Sequence, residues 1–199
     1  MAYIMLTTRC NFKCDHCCRD STPRGSREVG RDISIETFKK AAKLFEGQSL
    51  SLGGGEPTLH PKFWEILGIS LRYAEFIWLA TNGSQTNDAL VLASISKNEI
   101  LSVELSRDNF HDEIDERVVK AFGSHVRRVT RILPVGRAKK TGVWTEDKGC
   151  PCGEITVTPD GRIWLCGHKK KQLGTVNSPD REGINSIEDV YDSCSEKEV

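Results

Sequence analysis

The chain has 199 residues, and its 28 Lys plus Arg are balanced by 28 Asp plus Glu, so the formal net charge is zero. That balance supplies no long-range pull toward nucleic acid or an anionic membrane, and the length fits one large domain, or one domain with an appendage. No apolar run approaches the roughly 20 residues needed to span a bilayer, and the opening MAYIMLTTRC lacks the charge pattern and cleavage site of a signal peptide.

In chain order, YIML (3–6) reads as a short strand. Ser34 N-caps a helix running to about Phe45, ahead of Gly47. SLSL (49–52) is a second strand, and 61–74 is helical with Pro61 in its first turn. FIWLA (76–80) is a third strand, NDALVLASISK (87–97) a third helix and ILSVELS (100–106) a fourth strand. A fourth helix covers 112–124 and stops at Gly123; a fifth strand lies within 126–135. Strands alternating with helices of this length predict βαβ units around a parallel sheet. Right-handed crossovers then give an open sheet or a barrel, with chemistry at the C-terminal strand ends. From Lys148 the pattern turns to Cys, Gly and short strand pieces. This places a boundary near 145, between a main part, 1–145, and a Cys-rich extension, 146–199.

The stretch TTRCNFKCDHCCRD (7–20) follows the first strand and holds Cys10, Cys14, Cys17 and Cys18. Without a secretion signal the expected compartment is a reducing cytoplasm, where eight cysteines argue for metal ligation or catalysis over disulfides. Cys10, Cys14 and Cys17 form C-x3-C-x2-C. Three thiolates on one loop can hold three irons of a 4Fe–4S cube and leave the fourth iron open. Spacing alone also allows zinc, with His16 or Cys18 as fourth ligand.

LGGGEPTLHP (52–61) follows the second strand. Its glycines permit close backbone approach, and Glu56 offers a carboxylate to a cationic group. Taken together, the two motifs resemble the radical S-adenosylmethionine (radical SAM) superfamily over roughly the first 140 residues. The resemblance implies a partial, incomplete TIM-type (β/α) barrel of five or six parallel strands. It implies that Cys10, Cys14 and Cys17 bind the cluster and that Gly54, Gly55 and Glu56 bind the methionyl amine. His16 then lies near the adenine. Thr81 and Asn82 match a family Thr-Asn-Gly at the third strand end. Ser106 and Asp108 are candidates for the ribose. Arg131, in competition with Arg127 and Arg128, is a candidate partner of the methionyl carboxylate. The segment 133–138 resembles one whose backbone meets adenine, which puts Val135 at the cofactor. His111 is the candidate catalytic side chain; His60 reads as loop structure.

The tail has a β-hairpin, EITVT and RIWLC around Pro159-Asp160-Gly161. It brings Cys152 and Cys166 toward one end, beside Cys150 and His168. The spacing resembles the start of the SPASM and twitch extensions, which carry auxiliary clusters, although the later C-x-x-C is missing and only Cys194 follows. An auxiliary iron–sulfur cluster, a zinc site using Cys150, Cys152, Cys166 and His168 or Cys194, and no metal all stay open.

The resemblance implies an enzyme. An external one-electron reductant, flavodoxin- or ferredoxin-like, drives cleavage of S-adenosylmethionine to a 5′-deoxyadenosyl radical, which abstracts hydrogen from a large substrate. The tail favours a peptide or protein. The clusters Arg127-Arg128-Arg131, Arg137-Lys139-Lys140 and Lys169-Lys170-Lys171 support the alternative of a nucleotide or modified base in nucleic acid. A metal-binding or redox-sensing module without catalysis is the reading of another class. The expected form is a cytoplasmic monomer without membrane contact.

Overall fold

The computed structural model describes residues 1–26, 28–96, 99–145, 154–169 and 171–185. Five strands, β1 (Ala2–Thr7), β2 (Leu50–Gly54), β3 (Ile77–Thr81), β4 (Leu101–Ser106) and β5 (Val126–Arg127), pair in parallel in sequence order. Helices α1 (Ile35–Leu44), α2 (Phe63–Tyr73), α3 (Thr86–Ile95) and α4 (Glu116–Phe122) fill the successive crossovers. With the order monotonic and each crossover right-handed, the helices fall on one face, as in a barrel wall.

The register makes that face apolar. Ala2, Leu50, Ile77 and Leu101 lie side by side, and Ile4, Leu52, Leu79 and Val103 form the next row; all eight are buried. Phe38, Ala41 and Ala42 of α1 and Ile66 and Leu67 of α2 belong to the same core. Burying an aliphatic or Phe side chain contributes about 1.5–3 kcal/mol, which fixes the helices on the sheet. The alternate positions, Tyr3, Ser51, Trp78, Ser102 and Glu104, are mixed in polarity. Among the described residues, the helices that pack on the sheet core do so on the apolar face, as in a barrel wall.

A sixth parallel strand, β6 (Ile155–Val157), pairs with β1 on the side opposite β2. It begins the tail hairpin. Strands β7 (Arg162–Trp164), β8 (Gln172–Thr175) and β9 (Ser178–Pro179) extend the sheet in antiparallel fashion, and α6 (Arg181–Asn185) follows. The architecture is α/β, a partial barrel wall of six parallel strands with an antiparallel C-terminal extension.

Local chemistry sets the element ends. Ser34 caps α1 by accepting from Thr37 N at 3.0 Å. The helix expected over 112–124 starts only at Glu116, because Asp115 accepts from Arg117 N at 2.9 Å and acts as the cap. The strand expected within 126–135 is confined to Val126–Arg127. Beyond it, Val129 N points to Asp108 Oδ2 at 3.4 Å and Ile132 N donates to Thr145 Oγ1 at 2.9 Å, so side chains take the place of a neighbouring strand. A helix not expected from the sequence, α5 (Gly136–Thr141), follows this segment.

Candidate active site

Thr7, Gly54, Thr81 and Ser106 end β1 to β4, so the motifs that follow them share one edge of the sheet. After β1 the chain forms the cysteine loop, held by Cys10 N donating to Thr22 O at 2.9 Å and Cys17 N to Cys14 O at 3.1 Å. Cys10, Cys14 and Cys17 are half-buried; Cys18 is exposed. Burial pushes the Cys10 thiol up to about 11 and the Cys14 thiol up to about 12. Both therefore stay protonated at neutral pH unless a cation binds and displaces the proton. A tetrahedral zinc with Zn–S of about 2.3 Å holds its sulfurs about 3.8 Å apart. Among the described residues, these three thiols are not a group with every ligand atom within 4.8 Å. As they stand, the three sulfurs do not have the spacing of a zinc site.

The glycines after β2 let this segment dock on the loop. A Cβ on Gly54, whose φ is +125°, would lie 2.0 Å from Thr7 O, and one on Gly55 would lie 1.9 Å from Arg9 O. In their place Gly55 N donates to Thr7 O at 2.7 Å and Glu56 N to Arg9 O at 2.8 Å. Glu56 itself is only 2% exposed. Its Oε1 accepts from Thr58 N (3.2 Å), Thr58 Oγ1 (2.7 Å) and Thr81 Oγ1 (2.7 Å), and its Oε2 from Asn82 N (2.7 Å). Burial raises the Glu56 carboxyl above its usual range although these donors oppose it. Three protein donors thus converge on Oε1, while Oε2 accepts one.

Asn82 carries the connection onward. Its Nδ2 lies 3.7 Å from Cys10 Sγ and 3.2 Å from Asn11 Oδ1. Thr81 and Asn82 thus join the Glu56 carboxylate to a cysteine. His60 is structural: it is buried, with Nε2 2.9 Å from Ile33 O and Nδ1 accepting from Lys62 N.

The loop after β4 covers the cysteine loop from the other side. Asp108 Oδ1 accepts from Phe110 N at 3.0 Å and faces His111 Nδ1 at 2.8 Å; Oδ2 lies 3.9 Å from His16 Nε2. Burial works to raise the Asp108 carboxyl, but Phe110 N–H and His111 outweigh it and leave it below the usual range. His16 packs on Phe110 (4.7 Å between centroids) and on His111 (5.2 Å). Burial holds its imidazole below the usual histidine range. Asp108, His111, Arg107 and Arg128 line a cavity of about 180 Å³. Ser106 is half-buried and in register with Arg127. Arg127 lies over the Trp78 ring at 5.3 Å and 3.9 Å from Glu104; Arg131 is exposed beyond β5.

Val135 precedes α5 and is half-buried. The next two residues carry contacts that the sequence did not signal. Gly136 has φ +59°, and a Cβ there would lie 2.3 Å from Cys18 O. Arg137, grouped by sequence with a basic cluster, is 6% exposed. Its Nε donates to Asp20 Oδ1 at 3.1 Å, Nη1 to Cys14 O at 3.0 Å and Nη2 to Ser21 O, while its backbone N donates to Cys17 O at 2.8 Å. Lys140 also bonds Asp20. Arg137 and Lys140 are therefore tied to the loop and do not form a basic stripe.

In the tail, Cys166 is buried and His168 half-buried, on the turn after β7. Arg19 of the cysteine loop stacks over Tyr3 at 4.6 Å and donates to Gly167 O at 3.0 Å, which sets that turn against the loop. Cys150, Cys152 and Cys194 lie outside the described residues.

The sequence model of the radical SAM superfamily matches residues 4–159. The chain belongs to this superfamily. The radical SAM core here is similar to the mycofactocin maturase MftC of Mycobacterium ulcerans, 29% identical over 139 residues, which are 67% of this chain and 36% of that protein. It is also similar to AlbA of Bacillus subtilis, an antilisterial bacteriocin subtilosin biosynthesis protein, 36% identical over 115 residues, 56% of this chain and 25% of that protein. The chain thus spans between a quarter and little more than a third of the length of these curated relatives. The superfamily's cofactors are a 4Fe–4S cluster and S-adenosylmethionine, and the residues present fit them. Cys10, Cys14 and Cys17 are free, half-buried thiols on one loop. Among the described residues, the buried side-chain polar atoms without a hydrogen-bond partner are His16 Nδ1 and Arg107 Nη1, and both residues belong to this same rim. A polar ligand seated there would satisfy them. No helix of the described residues is long and apolar enough to cross a membrane.

Proposed function

We propose that this chain is a radical SAM enzyme that modifies a peptide. The observation that carries the reading is the hydrogen-bonded chain from Glu56 through Asn82 to Cys10, which binds three motifs from three strand ends into one rigid seat. When bound, the cluster and S-adenosylmethionine supply a carbon-centred radical by one-electron cleavage of the sulfonium. The chain's own residues do the rest. Cys10, Cys14 and Cys17 hold the cluster. Gly54, Gly55 and Glu56 seat the methionyl amine, with the Glu56 carboxylate held in place by Thr58, Thr81 and Asn82. His16 and Val135 border the adenine, Ser106 and Asp108 the ribose, and Arg131 the methionyl carboxylate. His111, oriented by Asp108, faces the cavity at the substrate side. Cys166 and His168, with Cys150, Cys152 and Cys194, are offered for an auxiliary iron–sulfur centre. The reductant is an external flavodoxin- or ferredoxin-like protein in a reducing cytoplasm.

The peptide reading is supported by the names of the two relatives, a maturase and a bacteriocin biosynthesis protein. The test is anaerobic reconstitution with dithionite and deuterated candidate substrates, peptides in one arm and nucleotides in the other. Deuterium entering 5′-deoxyadenosine from peptide supports the reading. Transfer from nucleotide alone replaces the substrate class, and no cleavage of S-adenosylmethionine in any arm contradicts the enzyme.

A further inference from the structure

We propose that Arg137 is the positioning residue of the cysteine loop, fixing the spacing of Cys14 and Cys17 before metal arrives. The proposal rests on the reading of these cysteines as cluster ligands. A buried guanidinium must be fully paired, and its planar fork imposes direction on each bond. Here all three side-chain nitrogens are used, and all point into one loop: Asp20, the Cys14 carbonyl and the Ser21 carbonyl. The backbone N of the same residue holds the Cys17 carbonyl. One residue therefore grips the carbonyls of two of the three ligands from a segment more than 110 residues away. Gly136 makes the approach possible, since any Cβ would collide with the Cys17 and Cys18 carbonyls. The two thiols sit on a loop outside any helix or strand, so these bonds replace the regular backbone ladder that would otherwise set their separation.

The metal-free, full-length chain provides the test. Alkylation rates of Cys14, Cys17 and Cys18 are followed by mass spectrometry under native conditions in wild type, Arg137→Lys, Arg137→Gln and Lys140→Met. Lysine keeps the charge but not the fork. Arg137→Lys and Arg137→Gln should alkylate Cys14 and Cys17 about tenfold faster, the change that 1.4 kcal/mol of local opening produces. Exposed Cys18 serves as the internal reference and should keep its rate. Lys140→Met, which removes only the outer cation on Asp20, should match wild type. Reconstituted Arg137→Lys should also show a changed electron paramagnetic resonance line shape for the reduced cluster. Wild-type rates at Cys14 and Cys17 in Arg137→Lys would overturn the proposal. So would equal acceleration at all three cysteines, or the same acceleration in Lys140→Met, because each reports general loosening. If instead wild type assembles no cluster while the selective acceleration holds, the ligand assignment fails and the positioning role stands.

Discussion

Replacing Glu56 by alanine removes the acceptor of four hydrogen bonds at the meeting point of β2 and β3. The two hydroxyls, on Thr58 and Thr81, can rotate toward other acceptors. The backbone N–H groups of Thr58 and Asn82 cannot, and both residues are buried. An orphaned buried donor costs about 1–3 kcal/mol, so the pair costs about 2–6 kcal/mol. Against a total stability of about 5–15 kcal/mol this is a large fraction. With a urea m-value of about 2 kcal/mol/M, the midpoint should fall by about 1–3 M with no change in slope. Glu56→Gln should lie between, because its amide can keep the three donors at Oε1 but sets an NH₂ against Asn82 N–H. The assay is urea unfolding of the metal-free protein followed by circular dichroism. A Glu56→Ala midpoint equal to wild type would refute the claim that this carboxylate braces the site, and would release it for a direct role at the cofactor ammonium alone.

Two further outcomes follow from the same geometry. Asn82→Ala removes the Nδ2 donor from Cys10 Sγ; with one such bond worth about 1 kcal/mol, the cluster's reduction potential should fall by about 40 mV, and an unchanged potentiometric midpoint would show that the contact carries no energy. Lys140, bonded to Asp20, and Arg137 beside it hold the Asp20 carboxyl below its ordinary 3.8, so its contribution to stability is present above that value and is lost as pH falls through the lowered one. The stability gap between wild type and Asp20→Asn should therefore be open at pH 7 and shrink as pH falls through the lowered Asp20 value in chemical unfolding; a gap independent of pH would contradict the pairing.

The motifs legible in the sequence are those whose partners are close along the chain or sit at successive strand ends. The cysteine spacing, the Gly-Gly-Glu turn and Thr81-Asn82 each follow a strand, and a monotonic parallel sheet brings successive strand ends together without further information. Arg137 was illegible because two of its three side-chain acceptors are backbone carbonyls 116 and 123 residues away, which leave no mark on side-chain pattern, and the third, Asp20, is 117 residues away. In the sequence it reads as one of three cations in a basic cluster. The segment 126–135 alternates like a strand, yet Pro134 lacks a donor and side chains of Asp108 and Thr145 take its N–H groups. The place of β6 beside β1 was equally hidden, since Ile155–Val157 has the composition of any short strand and only tertiary pairing chooses its neighbour.

The central claim is that Cys10, Cys14 and Cys17 hold a 4Fe–4S cluster in this seat. The most direct measurement is electron paramagnetic resonance of the anaerobically reconstituted, dithionite-reduced chain, recorded for wild type, Cys18→Ala and the triple Cys10/Cys14/Cys17→Ala variant, with and without S-adenosylmethionine. Wild type and Cys18→Ala should both show a low-potential reduced-cluster signal whose line shape changes on adding S-adenosylmethionine. The triple variant should lack any signal that responds to it. A responsive signal that survives in the triple variant, or one abolished by Cys18→Ala, would contradict the assignment.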